Sequence, residues 1–365
     1  MSTPGRPTGW GVVGTGWVAR DFVLPALAAD PAARLVGLCD RDPAALAGLD
    51  PAVLGGGAHA TTDLDELLDR PGLDAVYVAT PNHAHAPVVR AVAARGIPVL
   101  CEKPLAHDLA DARAMVAATR GLLAGTAFDQ RFHPAHERIA ALVADGTLGV
   151  VTTVRIVYGC WLPADWAPAG APGPVDNWRT DPTRAGGGAM IDLAPHGVDL
   201  AGCLLGEDLV ELVALTSRRV HDYVDPTADD TAVLAGATAA GTLFSAHVSF
   251  STADPLPRRR LEVVGTRAQA VAVDTLGQDP GGTLTLLDAA TGTARAVDFD
   301  ATASPFARQL AAFGAAVRGE APWTRPVVRD LALHELLLAA ARPRTDRPRA
   351  DHPPTVPNRE ALPCP

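Results

Sequence analysis

A chain of 365 residues with 48% hydrophobic and 20% charged residues is too long for one simple core and reads as a globular protein of two domains. The formal net charge of -10 argues against general nucleic-acid binding, which needs clustered Lys and Arg, and no apolar run is long enough to span a bilayer. Five scattered cysteines without a CxxC pair argue against a disulfide framework and a structural zinc site; with an N-terminus lacking a signal-type apolar core, they point to the cytoplasm.

The first apolar run, Trp10 to Val13, reads as a strand. It is followed at once by Gly14-Thr15-Gly16-Trp17-Val18-Ala19, a GxGxxA loop that opens a helix. Gly14 permits the tight turn, Gly16 lets the backbone approach a pyrophosphate, and Ala19 keeps the helix close to the sheet. Pro25 is expected to break this helix into two pieces. A second strand, 34–39, ends at Asp40, about 20 residues past the glycine loop, the spacing of an acid that binds the adenosine ribose hydroxyls. Asp40 would repel a 2′-phosphate, so NAD is the expected cofactor, with NADP as the alternative through the neighbouring Arg41. The same Asp40-Arg41-Asp42-Pro43 also reads as a turn and helix cap.

The alternation continues with a helix over 63–70, a strand over 75–80, a helix over 85–94, a strand over 97–102, a helix over 109–120 and a strand over 122–128. Strands alternating with helices predict a parallel, doubly wound sheet that binds its ligand at the carboxyl ends of the strands. Those ends carry Gly14, Asp40, Thr80-Pro81-Asn82 and Glu102-Lys103-Pro104. The stretch Thr80 to His85 is therefore a cofactor-side loop. A metal site from His83, His85 and Asp63 is the weaker reading, since HxH needs a further converging ligand, and no metal is expected. Lys103 follows a buried strand and is held by Pro104, so it should point into the cleft, where a lysine can serve catalysis. Its plainer role is a cation paired with Glu102.

At 186–199 the chain reads GGGAMIDLAPHGVD. On a helix, Asp192 and His196 share one face, and a carboxylate beside an imidazole is a workable proton-transfer pair. Alone, the stretch reads equally as a Gly-rich loop feeding a helix with an incidental polar face. From Val150 the pattern changes to short strands, at 150–158, 242–250, 259–265, 270–274, 283–288 and 294–299, which predict an antiparallel sheet. Between them, 159–185 carries Trp161, Trp166 and Trp178 with Asp165, Asp176 and Asp181 nearby; the tryptophans stack on a sugar ring or pin the loop to the body. Helices return at 305–318 and 328–341. The expected domains are 1–128, 129–341 and a Pro-rich, disordered tail, 342–365, that holds Cys364.

Four stretches in this order, GVVGTGWVA, TPNHAH (80–85), CEKPL (101–105) and GGGAMIDLAPHGVDL (186–200), resemble the Gfo/Idh/MocA oxidoreductases over residues 9 to 340. The resemblance implies an N-terminal Rossmann domain and a C-terminal α/β domain with an open, mostly antiparallel sheet that assembles a homodimer or homotetramer. It implies Lys103, Asp192 and His196 as the catalytic set. Trp178 and Arg179 of NWR become cofactor contacts, and Arg131 of QRFHP a site residue that joins Tyr158, Trp161 and Asp176 as substrate candidates. Pro195 departs from the small residue more often found there, and is expected to bend the helix between Asp192 and His196. The activity implied is oxidation of a secondary ring hydroxyl on a sugar, aminosugar or cyclitol, including glycosylated natural products such as aminoglycosides. The alternatives are an NADPH-dependent keto-sugar reductase and a non-catalytic nucleotide-binding regulator.

Overall fold

Strand β1 (Thr8–Val13) is buried along its whole length, as the central strand of a doubly wound sheet must be. The computed structural model describes residues 5–50, 57–167, 176–223, 225 and 227–341; the expected tail lies outside the described residues. Around β1 lie β2 (Ala33–Cys39), β3 (His59–Thr61), β4 (Ala75–Val78), β5 (Val99–Glu102) and β6 (Ala124–Ala127), all parallel, in the order β3-β2-β1-β4-β5-β6. The crossovers are α1 (Leu24–Ala29), α2 (Pro43–Ala47), α3 (Leu64–Leu68), α4 (His85–Ala94) and α5 (Leu109–Ala118). Strand order reverses beside β1, so β1 and β4 end at the crevice where such sheets take their ligands.

Pro25 does not interrupt the first helix. A π-helical turn over Ala19–Val23 runs directly into α1, with the Leu24 N–H donating to the Ala19 carbonyl. The wider turn carries the chain past the missing proline donor without leaving helical geometry.

The second sheet has eight strands: β7 (Val151–Gly159), β8 (Leu209–Ser217), β9 (Thr231–Thr238), β10 (Leu243–Ser249), β11 (Arg259–Gly265), β12 (Ala268–Val273), β13 (Thr283–Asp288) and β14 (Ala294–Ala296). Their order is β14-β13-β12-β11-β7-β10-β9-β8, antiparallel except for the β7–β10 pair. The remaining helices are α6 (Pro134–Ala144), α7 (Pro182–Ala185), α8 (Ala189–Leu205), α9 (Pro305–Val317) and α10 (Val327–Ala341). One sheet face packs on α6, α8 and α10 through residues such as Ile139, Val198 and Leu337. On the other face a cross-strand row, Leu215–Val233–His247–Val157, is open, with Leu215 66% and Val233 51% exposed.

The sequence reading missed β8 and β9. β8 exposes Val210, Val213 and Leu215 while burying Leu209 and Leu212, so its pattern does not alternate cleanly, and β9 contains Gly236. Helix α9 returns to the first sheet, where Phe306, Leu310 and Phe313 join Trp10 and Leu27 in one core. The other face of that sheet packs on α4 and α5 through Val89, Val92 and Met115.

Candidate active site

The glycine loop is shaped for close approach. Gly14 has φ +90°, and a Cβ there would lie 2.7 Å from the Ala79 carbonyl carbon, so only glycine lets β1 turn this close to the end of β4. At Gly16 an added Cβ would meet nothing within 4 Å, which leaves an open cradle beside the start of the helix. A dinucleotide pyrophosphate fits these residues. Asp40 accepts from the Thr15 N–H at 2.7 Å and the Thr15 hydroxyl at 2.9 Å, so the acid at the end of β2 is tied to the glycine loop. Its other oxygen accepts from the Asp42 N–H, and Asp42 caps α2 by accepting from the Ala44 N–H. The cofactor-acid and helix-cap readings of this stretch thus concern different residues. Arg41 is exposed beside them.

Opposite this loop, the segment before α8 closes in. Trp17 and Trp166 meet edge-on at 5.4 Å, and the Arg179 guanidinium lies 5.7 Å from the Trp17 ring, 5.9 Å from Trp166 and 4.7 Å from Trp178. This brings Trp178 and Arg179 to the glycine loop with Trp17 and its neighbour Val18, and adds Trp166. At the end of β4, beyond Thr80 and Pro81, Asn82 is buried and donates to the Ala185 carbonyl at 2.8 Å, joining the cofactor-side loop to α7.

The reacting side is built on three strand ends and one helix. Glu102, at the end of β5, is buried and accepts from the Tyr77 hydroxyl at 2.5 Å; burial raises its carboxyl above the usual range. Lys103 Nζ donates to Asp192 Oδ1 at 2.8 Å and to the Asp192 carbonyl at 3.0 Å. Burial works against the Asp192 charge, but Lys103 and Arg179 outweigh it and hold the carboxyl below the usual range. His196 is 2% exposed, and neither ring nitrogen has a hydrogen-bond partner among the described residues. Burial, then the Lys103 charge, lowers it to about 3, so the resting ring is neutral. Tyr158 from β7 stands edge-on to the imidazole at 5.9 Å.

Helix α8 presents these groups because its first turn is anchored. Asp229 accepts from the Gly188 N–H at 3.1 Å and the Met190 N–H at 2.8 Å, and a Cβ on Gly188 would fall 2.0 Å from the Asp229 carbonyl oxygen. The helix runs unbroken through Pro195, so Asp192 and His196 lie on one element. They are not bonded to each other: the carboxylate nearest the ring is Asp129, whose Oδ1 lies 3.7 Å from Nδ1.

Several candidates are placed otherwise than the sequence suggested. Arg131 is buried, with Nε and Nη2 on the Asp199 carboxylate at 2.7 Å and Nη2 on Asp330 at 2.8 Å, an internal ion cluster in place of a substrate contact. Asp176 is paired at 2.7 Å with Arg184 through both oxygens. Trp161 packs edge-on against His221 at 4.7 Å and remains 42% exposed. His85 is buried with Nδ1 3.1 Å from the Pro104 carbonyl and Nε2 3.0 Å from that of Thr80, so it braces two strand ends. The weaker metal reading also loses Asp63, which caps α3 by accepting from the Asp65 N–H. Tyr77, Asp129 and Asp229 were missed. Asp129 had a legible signal, since it sits just past β6 as Lys103 sits past β5.

Comparison with known proteins places the chain in a family. Residues 8–122 match the family model described as oxidoreductase family, NAD-binding Rossmann fold, and residues 136–271 match the GFO/IDH/MocA C-terminal domain. The chain is 30% identical to 1,5-anhydro-D-fructose reductase of Ensifer adhaerens, over 85% of this chain and 88% of that one. It is 32% identical to D-xylose 1-dehydrogenase (NADP(+)) 2 of Haloferax volcanii, over 86% and 90%. Among solved structures, the aldose-aldose oxidoreductase from Caulobacter crescentus complexed with glycerol superposes with a TM-score of 0.77 at 25% identity, covering 92% of this chain and 98% of the other.

Proposed function

We propose that this chain, which belongs to the Gfo/Idh/MocA family of oxidoreductases acting on CH–OH groups, is an NAD-dependent dehydrogenase that oxidises a secondary ring hydroxyl of a sugar, aminosugar or cyclitol to the ketone. The observation that carries this reading is the convergence of a fixed cation, Lys103, and a neutral, unpartnered imidazole, His196, beside the strand ends of a dinucleotide-binding sheet. The dinucleotide, when bound, supplies the hydride acceptor. Lys103 donates to the reacting oxygen and stabilises the negative charge that develops there. His196 takes the hydroxyl proton. Asp192 fixes Lys103 and balances its charge, so the ammonium is positioned before substrate arrives.

Asp40 supports NAD over NADP, because its carboxylate would repel a 2′-phosphate. Arg41, exposed next to it, favours a second reading: an NADPH-dependent reductase running the same residues in reverse. Titration of both dinucleotides into the protein, followed by a panel of sugars, cyclitols and aminoglycosides, separates the readings. Preferential NAD binding with NADH formation supports the dehydrogenase; tight binding with no hydride transfer across the panel favours a regulator.

The open face of the eight-stranded sheet supports assembly into a homodimer or homotetramer. A sedimentation mass equal to the 37.7 kDa chain at micromolar concentration would contradict that assembly. We place the reaction in the cytoplasm, in keeping with free thiols at Cys39 and Cys101 in the core. Among the described residues no helix is long and apolar enough to cross a membrane.

A further inference from the structure

Resting on the dehydrogenase reading above, we infer that Asp129 is the positioning residue for His196: it holds the Nδ1–H of the ring, so that Nε2 is the atom that takes the substrate proton. Asp129 follows β6 and opens a 3-10 turn over Asp129–Phe132. Its side chain is 3% exposed, and its Oδ1 lies 3.7 Å from His196 Nδ1. Among the described residues Asp129 Oδ2 has no hydrogen-bond partner, and neither has either imidazole nitrogen. An unpaired buried polar group costs about 1–3 kcal/mol, so an imidazole left unpaired beside this side chain calls for an explanation.

Among the described residues no other carboxylate near the ring is free to serve it. Asp192, one turn earlier on α8, is bonded to Lys103. Asp199, one turn later, is held by Arg131 and Arg329. Glu102 from β5 is bonded to Tyr77 of β4. Lys103 approaches from the β5 side as a cation and cannot accept the Nδ1–H, while Tyr158 of β7 and Phe128 present ring edges. The 3.7 Å separation is longer than a hydrogen bond, and catalytic contacts of this kind commonly tighten only when substrate is bound.

The chemistry follows from which nitrogen is free. With Nδ1–H directed at Asp129, the Nε2 lone pair is available. With a dinucleotide bound to act as hydride acceptor, the substrate O–H bond would break with its proton bonding to Nε2. The imidazolium so formed keeps its Nδ1–H directed at Asp129, whose carboxyl is raised above the usual range by burial and by the neighbouring Glu102, and later returns its proton to water. Asp129 touches neither substrate nor cofactor in this scheme. It acts through His196.

Ring 15N shifts of histidine-labelled full-length protein test this without any substrate, with His196→Gln identifying the signal. The expected result is an Nδ1–H tautomer for His196 in the native chain and a shift toward Nε2–H in Asp129→Asn. An Nε2–H tautomer in the native chain overturns the proposal, and this arm stands even if Asp129→Asn does not fold. If Asp129→Asn folds, an unchanged tautomer also overturns it. On any panel compound that the native protein oxidises, Asp129→Asn should lower kcat by about 10²-fold, with KM and the NAD Kd unmoved. Equal kcat would overturn the proposal. A native protein that oxidises nothing on the panel while its His196 tautomer still follows Asp129 would overturn the dehydrogenase reading and leave the pairing standing.

Discussion

Lys103 and Asp192 are bonded twice, the lysine Nζ donating to the aspartate carboxylate at 2.8 Å and to its main-chain carbonyl at 3.0 Å. One residue directly follows a strand of the first sheet and the other lies in the first turn of α8, so the contact joins the dinucleotide side of the site to its proton-handling side. The pair is mostly buried, with side chains 13% and 15% exposed. Removing one partner leaves a charge with no counterion, whereas replacing both by apolar groups need not.

Lys103→Met is therefore expected to lose about 3–5 kcal/mol of stability by stranding Asp192. It should also lose about 10²–10³-fold in kcat through the missing donor to the reacting oxygen. The double variant Lys103→Met/Asp192→Leu should recover most of the stability and none of the turnover. Denaturant titration and steady-state assay of the three proteins check this; a double variant no more stable than the single one contradicts it.

Arg131 tests the opposite case. Its guanidinium is held by Asp199 and Asp330 inside the fold. Arg131→Met should cost about 3–5 kcal/mol by leaving those carboxylates short of a counterion. Substrate KM should not change in the folded fraction. A raised KM at undiminished stability would return Arg131 to the substrate site.

Acid stability has a marker in His136, whose ring is fully buried with Nδ1 2.8 Å from the Gln130 carbonyl and Nε2 3.0 Å from the Thr275 hydroxyl. Burial, then the neighbouring His133, lowers it from 6.5 to about 3. The unfolded chain takes up this proton below pH 6.5 and the folded chain does not, so the histidine's contribution is present above pH 6.5 and drains away toward pH 3. His136→Gln should be less stable than the native chain at neutral pH. The gap should narrow by about 1.4 kcal/mol per pH unit as pH falls below 6.5. Urea titrations across that range would show parallel stability curves if His136 were protonated in the fold.

Much of this architecture was legible because its determinants are local. The GxGxxA loop, the run of buried strands and the carboxyl-end rule locate Gly14, Asp40, Asn82 and Lys103 on one edge of the first sheet, where the structure has them. The spacing of Asp192 and His196 puts them on one helix, and α8 carries both. Pairings between distant segments were not legible. Nothing local to Arg131 announces that Asp199 and Asp330 will surround it, and nothing local to Asp129 announces His196. The same holds for Trp166, whose partner Trp17 lies at the far end of the sequence. Pro25 misled, since it suggested a break where the helical backbone continues.

The most direct test is a single-turnover measurement of NADH formation, with NAD and an oxidisable panel compound, for the native protein and His196→Ala. The native protein is expected to reduce NAD, and the variant to do so about 10²–10⁴-fold more slowly while binding NAD with unchanged Kd. Equal rates for the two proteins would contradict it.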